Sequence, residues 1–190
     1  PMLVLLVVLF VSLLISNFIS LKEINGLAKE RLGAMKGLFF HRFLSVYISS
    51  LIITVLPITV ILLLGAGLFK LNIAQHMGSI ILLFFMLCSI FILMGISISY
   101  LIKKESISLL VSTFLLVFLI FFSGLVLPLE MMTEFFGTVA SFFPGNMALE
   151  MFRKTVLYGM PLMPGDVGVM GLWFILTGFA AVVIKRINNV

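Results

Sequence analysis

Residues 121–159 read FFSGLVLPLEMMTEFFGTVASFFPGNMALEMFRKTVLYG, and they decide the fold because a long apolar segment ends here without an ordinary charged loop. Gly124 and Pro128 weaken or end a helix, since glycine lacks side-chain constraint and proline lacks a backbone N–H. The residues that follow stay amphipathic. We therefore predict two short helices, separated by a turn at Pro144 and Gly145, that lie against a bilayer face as a lid or re-entrant hairpin.

Each of the two predicted short helices has its own pattern of residues. The second, over residues 147–158, follows Asn146 as a candidate cap and carries Glu150 and Lys154 one turn apart as a predicted ion pair. In the first, large apolar residues recur at helical spacing. They are Met131, Met132, Phe135, Phe136, Val139, Phe142 and Phe143. Together the two helices define a predicted lid over residues 128–160.

The composition is that of an integral membrane protein. Of the 190 residues, 63% are hydrophobic and 10% are charged, and the mean hydropathy is +1.35, values that exclude an ordinary soluble domain. The single cysteine, Cys88, excludes an intrachain disulfide. The net charge of +5 comes from basic residues between apolar segments. We therefore expect the partner of this charge to be the lipid bilayer and not a nucleic acid.

Five apolar stretches approach the length of about 20 residues that a membrane-spanning helix needs. They are residues 2–21, 43–69, 77–102, 106–127 and 167–184. None of the five contains a charged residue, and Pro57 in the second predicts a kink. No internal repeat or low-complexity linker separates them. The sequence therefore predicts an all-α polytopic helix bundle, with residues 1–190 as a single transmembrane domain.

The charges between the spans predict the orientation, because Lys and Arg are retained on the cytoplasmic side of a membrane. Nine basic residues fall on one side of the five spans and three on the other. The nine are Lys22, Lys29, Arg31, Lys36, Arg42, Lys103, Lys104, Lys185 and Arg186, and the three are Lys70, Arg153 and Lys154. We predict that this chain begins outside the cell membrane and ends in the cytoplasm. The lid would then lie on the outer face.

Residues 22–42 form the most basic connection on the predicted cytoplasmic side. Apolar residues recur there at helical spacing among charges of both signs, and Gly26, Gly33 and Gly37 predict two short helices in place of one. Two interpretations stay open from the spacing alone. The segment is either a basic interfacial loop that meets anionic lipid or a docking surface for a soluble partner.

The pattern of polar residues points away from catalysis in this chain. His41 and His76 fall on opposite sides of the predicted bilayer, and Ser123 has neither a nucleophile turn nor a histidine base. Glu130 and Glu134 are interpreted as the polar face of an interfacial helix. The predicted spans hold no ionisable residue for ion coupling, and no G-x-x-x-x-G-K-[ST] loop occurs in the sequence. Energy for any transport would therefore enter from outside the chain.

The run SGLVLPLEMM, followed by FFGTVASFFPGNMALEMFRKTVLYG, resembles the closing region of ABC-2-type transporter permeases. In that family a span ends in Ser-Gly, followed by a proline, an acidic residue, a second proline and a basic amphipathic helix. The matching residues here are Ser123, Gly124, Pro128, Glu130, Pro144, Arg153 and Gly159. Upstream, Glu23 and Gly26 resemble the start of the family's coupling helix. The sequence differs from the family pattern at two points. Thr133 stands where the family often has proline, and the first span that family members have is absent.

The resemblance implies the C-terminal five-span part of a six-span permease, the membrane subunit of an ABC exporter in the cell membrane. It implies a second permease subunit, identical or not, and ABC ATPase subunits at the cytoplasmic face that hold ATP and magnesium, with no cofactor or catalysis in this chain. The ATPase-coupling residues would be Glu23, Gly26, Lys29, Glu30 and Arg31. The outer gate or lid would contain Ser123, Gly124, Pro128, Glu130, Phe136, Pro144 and Arg153. The abundance of Phe and Met favours a hydrophobic or amphiphilic substrate such as a drug or lipid.

Two other functions fit the same residues. A non-transporting anchor or sensor would recruit a cytoplasmic partner through residues 22–42. An ion-coupled secondary transporter would have its ionisable site in an N-terminal part that precedes this chain. An ATPase that copurifies with the full-length protein would favour the exporter over both alternatives.

Overall fold

The structure is a computed structural model that describes residues 2–25, 39–69, 77–124, 131 and 133–187. These residues contain seven α-helices. In chain order they are α1 (Met2–Asn25), α2 (Phe39–Phe69), α3 (Met77–Leu101), α4 (Glu105–Phe122), α5 (Glu134–Ser141), α6 (Pro144–Leu157) and α7 (Pro164–Ile187). Five of them, α1 to α4 and α7, are long and apolar enough to cross a membrane. The predicted all-α polytopic bundle is confirmed.

The five long helices alternate in direction between two ends of the bundle. One end, called the Asn25 end, holds the last turns of α1, α3 and α7 and the first turns of α2 and α4. At this end the side-chain amide of Asn25 donates a hydrogen bond to the Lys103 carbonyl oxygen at 3.0 Å, which ties α1 to the connection between α3 and α4. The opposite end, called the Phe122 end, carries α5 and α6.

Helix α3 is the centre of the bundle and packs against α1, α2, α4, α6 and α7. Four consecutive large apolar residues, Ile90, Phe91, Ile92 and Leu93, are all buried, so this helix is covered on every side over that turn. A helix that is apolar all round belongs in the interior of such a bundle. Helices α2 and α4 instead direct large apolar side chains outward, including Leu56 and Phe114. In a bilayer these outward faces contact lipid and need no protein partner.

Helices α1 and α3 approach each other closely, and Gly95 permits this contact. A Cβ atom placed on Gly95 would overlap the Ser16 hydroxyl and the Leu13 carbonyl oxygen, and it would lie 3.2 Å from the Asn17 backbone nitrogen. Small residues allow membrane helices to pack at short range, where van der Waals contact replaces the missing hydrophobic driving force. Gly95 therefore sets the separation between the first and the central helix.

Helix α6 is inserted among the spanning helices and contacts α1, α3, α4 and α7. Its residues Leu149, Met151 and Phe152 are buried. The Phe152 ring packs edge-on against Phe84 of α3, with ring centroids 5.5 Å apart. The second helix of the predicted pair is therefore part of the packed interior, whereas Phe135 of α5 remains 72% exposed.

Helix α6 begins earlier than the sequence predicted. Phe143 is the N-cap and Pro144 occupies the first helical position, where its missing N–H would have no intrahelical partner and its fixed φ angle suits the helix. Asn146 consequently lies inside the first turn, so the prediction that it caps the helix is wrong. Its side chain is buried and lies beside Gly124.

Candidate functional site

The predicted ATPase-coupling residues lie at the Asn25 end. Glu23 is described and is half-buried in the last turns of α1. Gly26, Lys29, Glu30 and Arg31 lie outside the described residues. Their role as a coupling segment stays a prediction.

Glu23 belongs to a cluster of charged and aromatic side chains that joins four helices. Its carboxylate interacts electrostatically with Lys185 of α7 and Arg42 of α2. Lys185 is only 1% exposed, and its ammonium nitrogen lies 5.0 Å from the centroid of the Tyr100 ring in α3 and 5.8 Å from that of Phe43. A buried ammonium needs a carboxylate and aromatic faces in place of the water it has lost. We call Glu23, Arg42, Phe43, Tyr100 and Lys185 the buried charge cluster.

The charge pattern placed Lys185 among the nine basic residues of the predicted cytoplasmic side and gave no indication of its burial. Helix α7 continues to Ile187, which places Lys185 inside the last turn, on the side that faces the bundle. Its neighbour Arg186 is exposed. A usable signal existed in the spacing, since Lys185 lies four and eight residues after the buried Ala181 and Thr177 and continues the inward stripe of that helix.

At the Phe122 end, Ser123 and Gly124 meet the first turn of α6. Gly124 has φ of +70°, a left-handed conformation that favours glycine, so the backbone turns away sharply after α4. A Cβ atom on Gly124 would lie 2.9 Å from the Asn146 side-chain oxygen, and one on Gly145 would lie 3.0 Å from the Ser123 Cβ. The end of α4 and the start of α6 therefore fit together without room for another side chain.

The structure brings three predicted gate residues, Ser123, Gly124 and Pro144, to this junction or next to it, since Pro144 directly precedes Gly145. Pro128 and Glu130 lie outside the described residues. Arg153 is half-buried on α6. No described residue forms an ion pair with it. A gating role for any of these residues stays a prediction.

Phe136 of α5 joins an aromatic cluster that runs from α4 to α7. Its ring centroid lies 6.1 Å from that of Phe122, which is in turn 5.6 Å from Phe143. Phe143 stacks on Trp173 of α7 at 6.3 Å, and Phe118 approaches Phe143 edge-on at 6.3 Å. We call Phe118, Phe122, Phe136, Phe143 and Trp173 the aromatic cluster. It holds the connection between α5 and α6 between the ends of two spanning helices.

Two polar contacts fasten α7 to the short helices. The Trp173 indole N–H donates a hydrogen bond to the Phe142 carbonyl oxygen at 2.9 Å, directly after α5. The Lys154 ammonium lies 3.9 Å from a Glu150 carboxylate oxygen and 3.8 Å from an Asp166 oxygen. The predicted pair of Glu150 and Lys154 is thus confirmed. Because both pairs are partly exposed, their stabilising effect is small.

A polar cluster that was not predicted from the sequence lies inside the bundle. The Asn17 side-chain amide of α1 donates hydrogen bonds to the hydroxyls of Ser112 at 2.6 Å and Ser108 at 3.0 Å, both on α4. The same amide nitrogen lies 3.4 Å from the Gly95 carbonyl oxygen of α3. All three side chains are fully buried. An amide within an otherwise apolar span is a signal for such interhelical bonding, and Asn17 carries that signal in the sequence.

Replacing Asn17 with leucine is expected to lower the thermal midpoint of the detergent-solubilised protein. Hydrogen bonds between membrane helices contribute about 0.6–2 kcal/mol each, and leucine leaves the Ser108 and Ser112 hydroxyls without this partner. The matched control is Thr113→Val, because the Thr113 hydroxyl donates only to Leu109 of its own helix, at 2.8 Å. Equal shifts in the two variants would contradict a specific role for Asn17.

An apolar groove of about 170 Å³ lies between α2 and α3. Leu51, Ile58, Leu62, Phe84 and Cys88 are among the residues that line it. The one hydroxyl of the lining, that of Thr59, donates to the Val55 carbonyl oxygen at 2.8 Å, so towards a ligand it can act only as an acceptor. An apolar cavity of this kind stays dry and accepts hydrocarbon.

The described residues hold no group of three or more His, Cys, Asp or Glu side chains placed to bind a metal ion. The polar features of the described residues include buried charge at the Asn25 end and hydrogen bonds and ion pairs near the Phe122 end. The family model described as ABC-2 family transporter protein matches residues 1–184, from the start of α1 to the last turns of α7. No curated protein and no solved structure matches the chain.

Proposed function

The chain belongs to the ABC-2 family of transporter proteins, and from that premise we propose that it is the membrane permease of an ATP-driven exporter for a hydrophobic or amphiphilic substrate. A permease role and association with an ABC ATPase follow from the family. The direction of transport and the class of substrate are our proposal. The match over residues 1–184 is the observation that carries the permease role, because it includes both the basic segment of residues 22–42 and the helix pair at the opposite end.

ATP would act on a separate subunit. The sequence contains no phosphate-binding P-loop, so the nucleotide and its magnesium ion would be held by the ATPase partner. The basic segment of residues 22–42, which begins within the last turn of α1, is the proposed contact surface for that partner, with Gly26, Lys29, Glu30 and Arg31 in its first half. A second permease subunit would complete the translocation path.

The proposed orientation places the Asn25 end in the cytoplasm, so that the α5–α6 pair lies on the outer face. Its support is the distribution of basic residues, nine of which fall at or beyond the Asn25 end and three at the other. ATP-driven motion at one face would then open or close the helix pair at the other.

A hydrophobic substrate is supported by the surfaces that the bundle offers. The groove between α2 and α3 is lined almost entirely by hydrocarbon, and the exposed Ile81 and Phe85 extend it to the lipid-facing surface. A polar or charged substrate would find only the Thr59 hydroxyl oxygen and the Cys88 thiol there and would lose most of its hydration without compensation. Entry from the bilayer is therefore the proposed route.

The test uses the full-length permease copurified with its ATPase and reconstituted in vesicles. Gly26→Trp combined with Arg31→Glu is expected to lower the amount of bound ATPase and the ATP-dependent uptake of a fluorescent amphiphile by at least about tenfold, because the contact surface gains bulk and loses a positive charge. The matched control is Lys104→Glu, an equivalent charge reversal at an exposed position of the same end. A complex that contains no ATPase would refute the proposed function.

A further inference from the structure

The groove between α2 and α3 runs lengthwise along both helices. Its lining extends from Leu51 to Leu62 on α2, where the residues recur at helical spacing and form one stripe. On α3 it extends from Ile80 to Cys88, which is about 12 Å of helix at a rise of about 1.5 Å per residue. Both helices are long and apolar enough to cross the membrane. An occupant of the groove therefore lies along the spans, as the acyl chains of a bilayer do.

The groove has a buried floor and exposed rims. Ile80, Phe84 and Cys88 form the floor, and each of these side chains is 5% exposed or less. Val55 of α2 and Phe85 of α3 stand at the rims, 45% and 50% exposed. Because the outward side of a spanning helix faces lipid, the groove is closed toward the bundle and open to the hydrocarbon of the bilayer.

The volume of the groove permits one narrow occupant. Its 170 Å³ is close to the volume of a dry apolar cavity that holds a single benzene ring, about 150 Å³. In this protein the volume is distributed over about 12 Å of α3. That shape admits one unbranched hydrocarbon chain and leaves no width for a fused ring system or for methyl branches. The groove therefore selects a linear chain over a ring.

The groove lies at the depth of a single leaflet. Helix α3 begins with Met77 at the Phe122 end, and the lining starts at Ile80, about 5 Å along the helix. The lining ends at Cys88, about 17 Å along the helix. The hydrocarbon core of a bilayer is about 30 Å thick, so the acyl chains of each leaflet fill about 15 Å. The groove thus covers the depth over which the chains of the leaflet at the Phe122 end extend.

We propose that this groove binds one unbranched acyl chain of a membrane lipid from the leaflet at the Phe122 end. A chain in the groove contacts both helices and the floor, whereas a chain against an outward face, such as that of α4, contacts protein on one side only. An empty groove would lose these dispersion contacts. Occupancy requires no ATPase, so it is independent of the proposed export, and an exported amphiphile that enters by this route must displace the chain.

The test places a tryptophan at the rim of the groove in the full-length permease, reconstituted in vesicles without the ATPase. Trp173, the single tryptophan of this sequence, and any tryptophan of the full-length protein outside it are changed to phenylalanine in every sample. Phe85→Trp is the reporter, and Phe114→Trp on the outward face of α4 is its matched control. Position 85 follows the start of α3, and position 114 precedes the end of α4, by the same number of residues. Both positions therefore lie about 12 Å from the Phe122 end.

The measurement is the quenching of tryptophan fluorescence by a phospholipid that carries one bromine at the end of each unbranched acyl chain. This lipid is diluted into a host lipid of the same headgroup whose chains are either unbranched or methyl-branched. At position 85 the mole fraction that gives half-maximal quenching is expected to be about fivefold lower in the branched host, because branched chains do not compete for the groove. At position 114 the two hosts are expected to agree to within about 1.5-fold, since an outward face contacts either kind of chain.

Thr59→Phe tests whether the dependence on the host comes from the groove itself. The hydroxyls of Thr59 and of Thr113 on α4 each donate to a carbonyl oxygen of their own helix at 2.8 Å, so replacing either breaks no bond between helices. Added to Phe85→Trp, Thr59→Phe fills the groove with a ring and is expected to reduce the difference between the hosts to less than about 1.5-fold. Thr113→Phe in the same background is expected to leave the difference intact.

Equal values in the two hosts at position 85 would overturn the proposal, because the groove would then hold lipid no differently from the rest of the surface. A dependence of the same size at position 114 would overturn it as well. A folded Thr59→Phe protein that keeps the difference would show that the chain is bound elsewhere. The comparison of positions 85 and 114 needs no filled groove, so it decides the question even if Thr59→Phe does not fold. Since no ATPase is present, failure of the proposed export would leave these results unchanged.

Discussion

Replacing Gly95 with alanine is expected to reduce the stability of the protein by about 2–3 kcal/mol, although alanine is normally the better helix former. The added Cβ would overlap the Leu13 carbonyl oxygen and the Ser16 hydroxyl on α1. A side chain such as Ser16 can rotate away, but a backbone carbonyl cannot move without displacing its helix. The α1–α3 contact must therefore widen, and the loss of close packing has no hydrophobic compensation inside a bilayer.

The measurement is the thermal midpoint and the monodisperse fraction of the detergent-solubilised protein. The matched control is Gly178→Ala on α7, where the added methyl group would meet Leu93 at an ordinary contact distance of 3.6 Å. It is expected to change stability by less than about 0.5 kcal/mol or to raise it slightly, as alanine favours helix formation. Similar behaviour of the two variants would show that the α1–α3 separation is not set at Gly95.

Replacing Phe152 with alanine is expected to detach α6 from the bundle and to abolish transport. The Phe152 side chain is 1% exposed and packs edge-on against Phe84 at 5.5 Å. Truncation of a buried phenylalanine leaves a cavity and removes contacts at a cost of about 3–5 kcal/mol. The junction of Gly124, Gly145 and Asn146 depends on the position of α6. Both the packing and the junction would be lost together.

The control for Phe152→Ala is Phe135→Ala on the neighbouring α5, where the ring is 72% exposed. This variant is expected to keep its free energy of unfolding to within about 1 kcal/mol, since little buried surface is lost. Limited proteolysis after residue 124 would report the detachment of α6 as faster cleavage in Phe152→Ala only. Normal proteolysis and transport in Phe152→Ala would contradict the buried position of this helix.

The location of the spanning helices could be predicted because an uninterrupted apolar run in a membrane has few alternatives to a helix that spans it. A buried backbone must satisfy its own hydrogen bonds, and the helix does so within one segment. The break at Gly124 and the proline at the start of α6 were visible for a similar reason, since each residue has a local backbone preference of its own. The Glu150–Lys154 pair followed from helical spacing alone.

The contacts between helices were not predictable in the same way. Lys185 looks like a tail residue in the sequence and is buried only because α7 packs its last turn against Tyr100 and Phe43. Asn17 stands out as a polar residue, but its partners Ser108 and Ser112 lie more than 90 residues away. Asn146 was predicted as a cap, whereas the fold places it beside Gly124. Distances along the chain carry no information about such pairings.

The amino-acid sequence by itself determined that this protein is a helical membrane bundle, where its spans lie, that a helix pair interrupts the last connection, and which family it resembles. These properties depend on local hydrophobicity and backbone restriction, which each segment expresses alone. Only the tertiary structure decided that α6 is buried, that Gly95 sets the α1–α3 contact, and that Glu23 and Lys185 share one cluster. Burial of a charge and close helix approach are properties of two surfaces at once, so neither surface specifies them without the other.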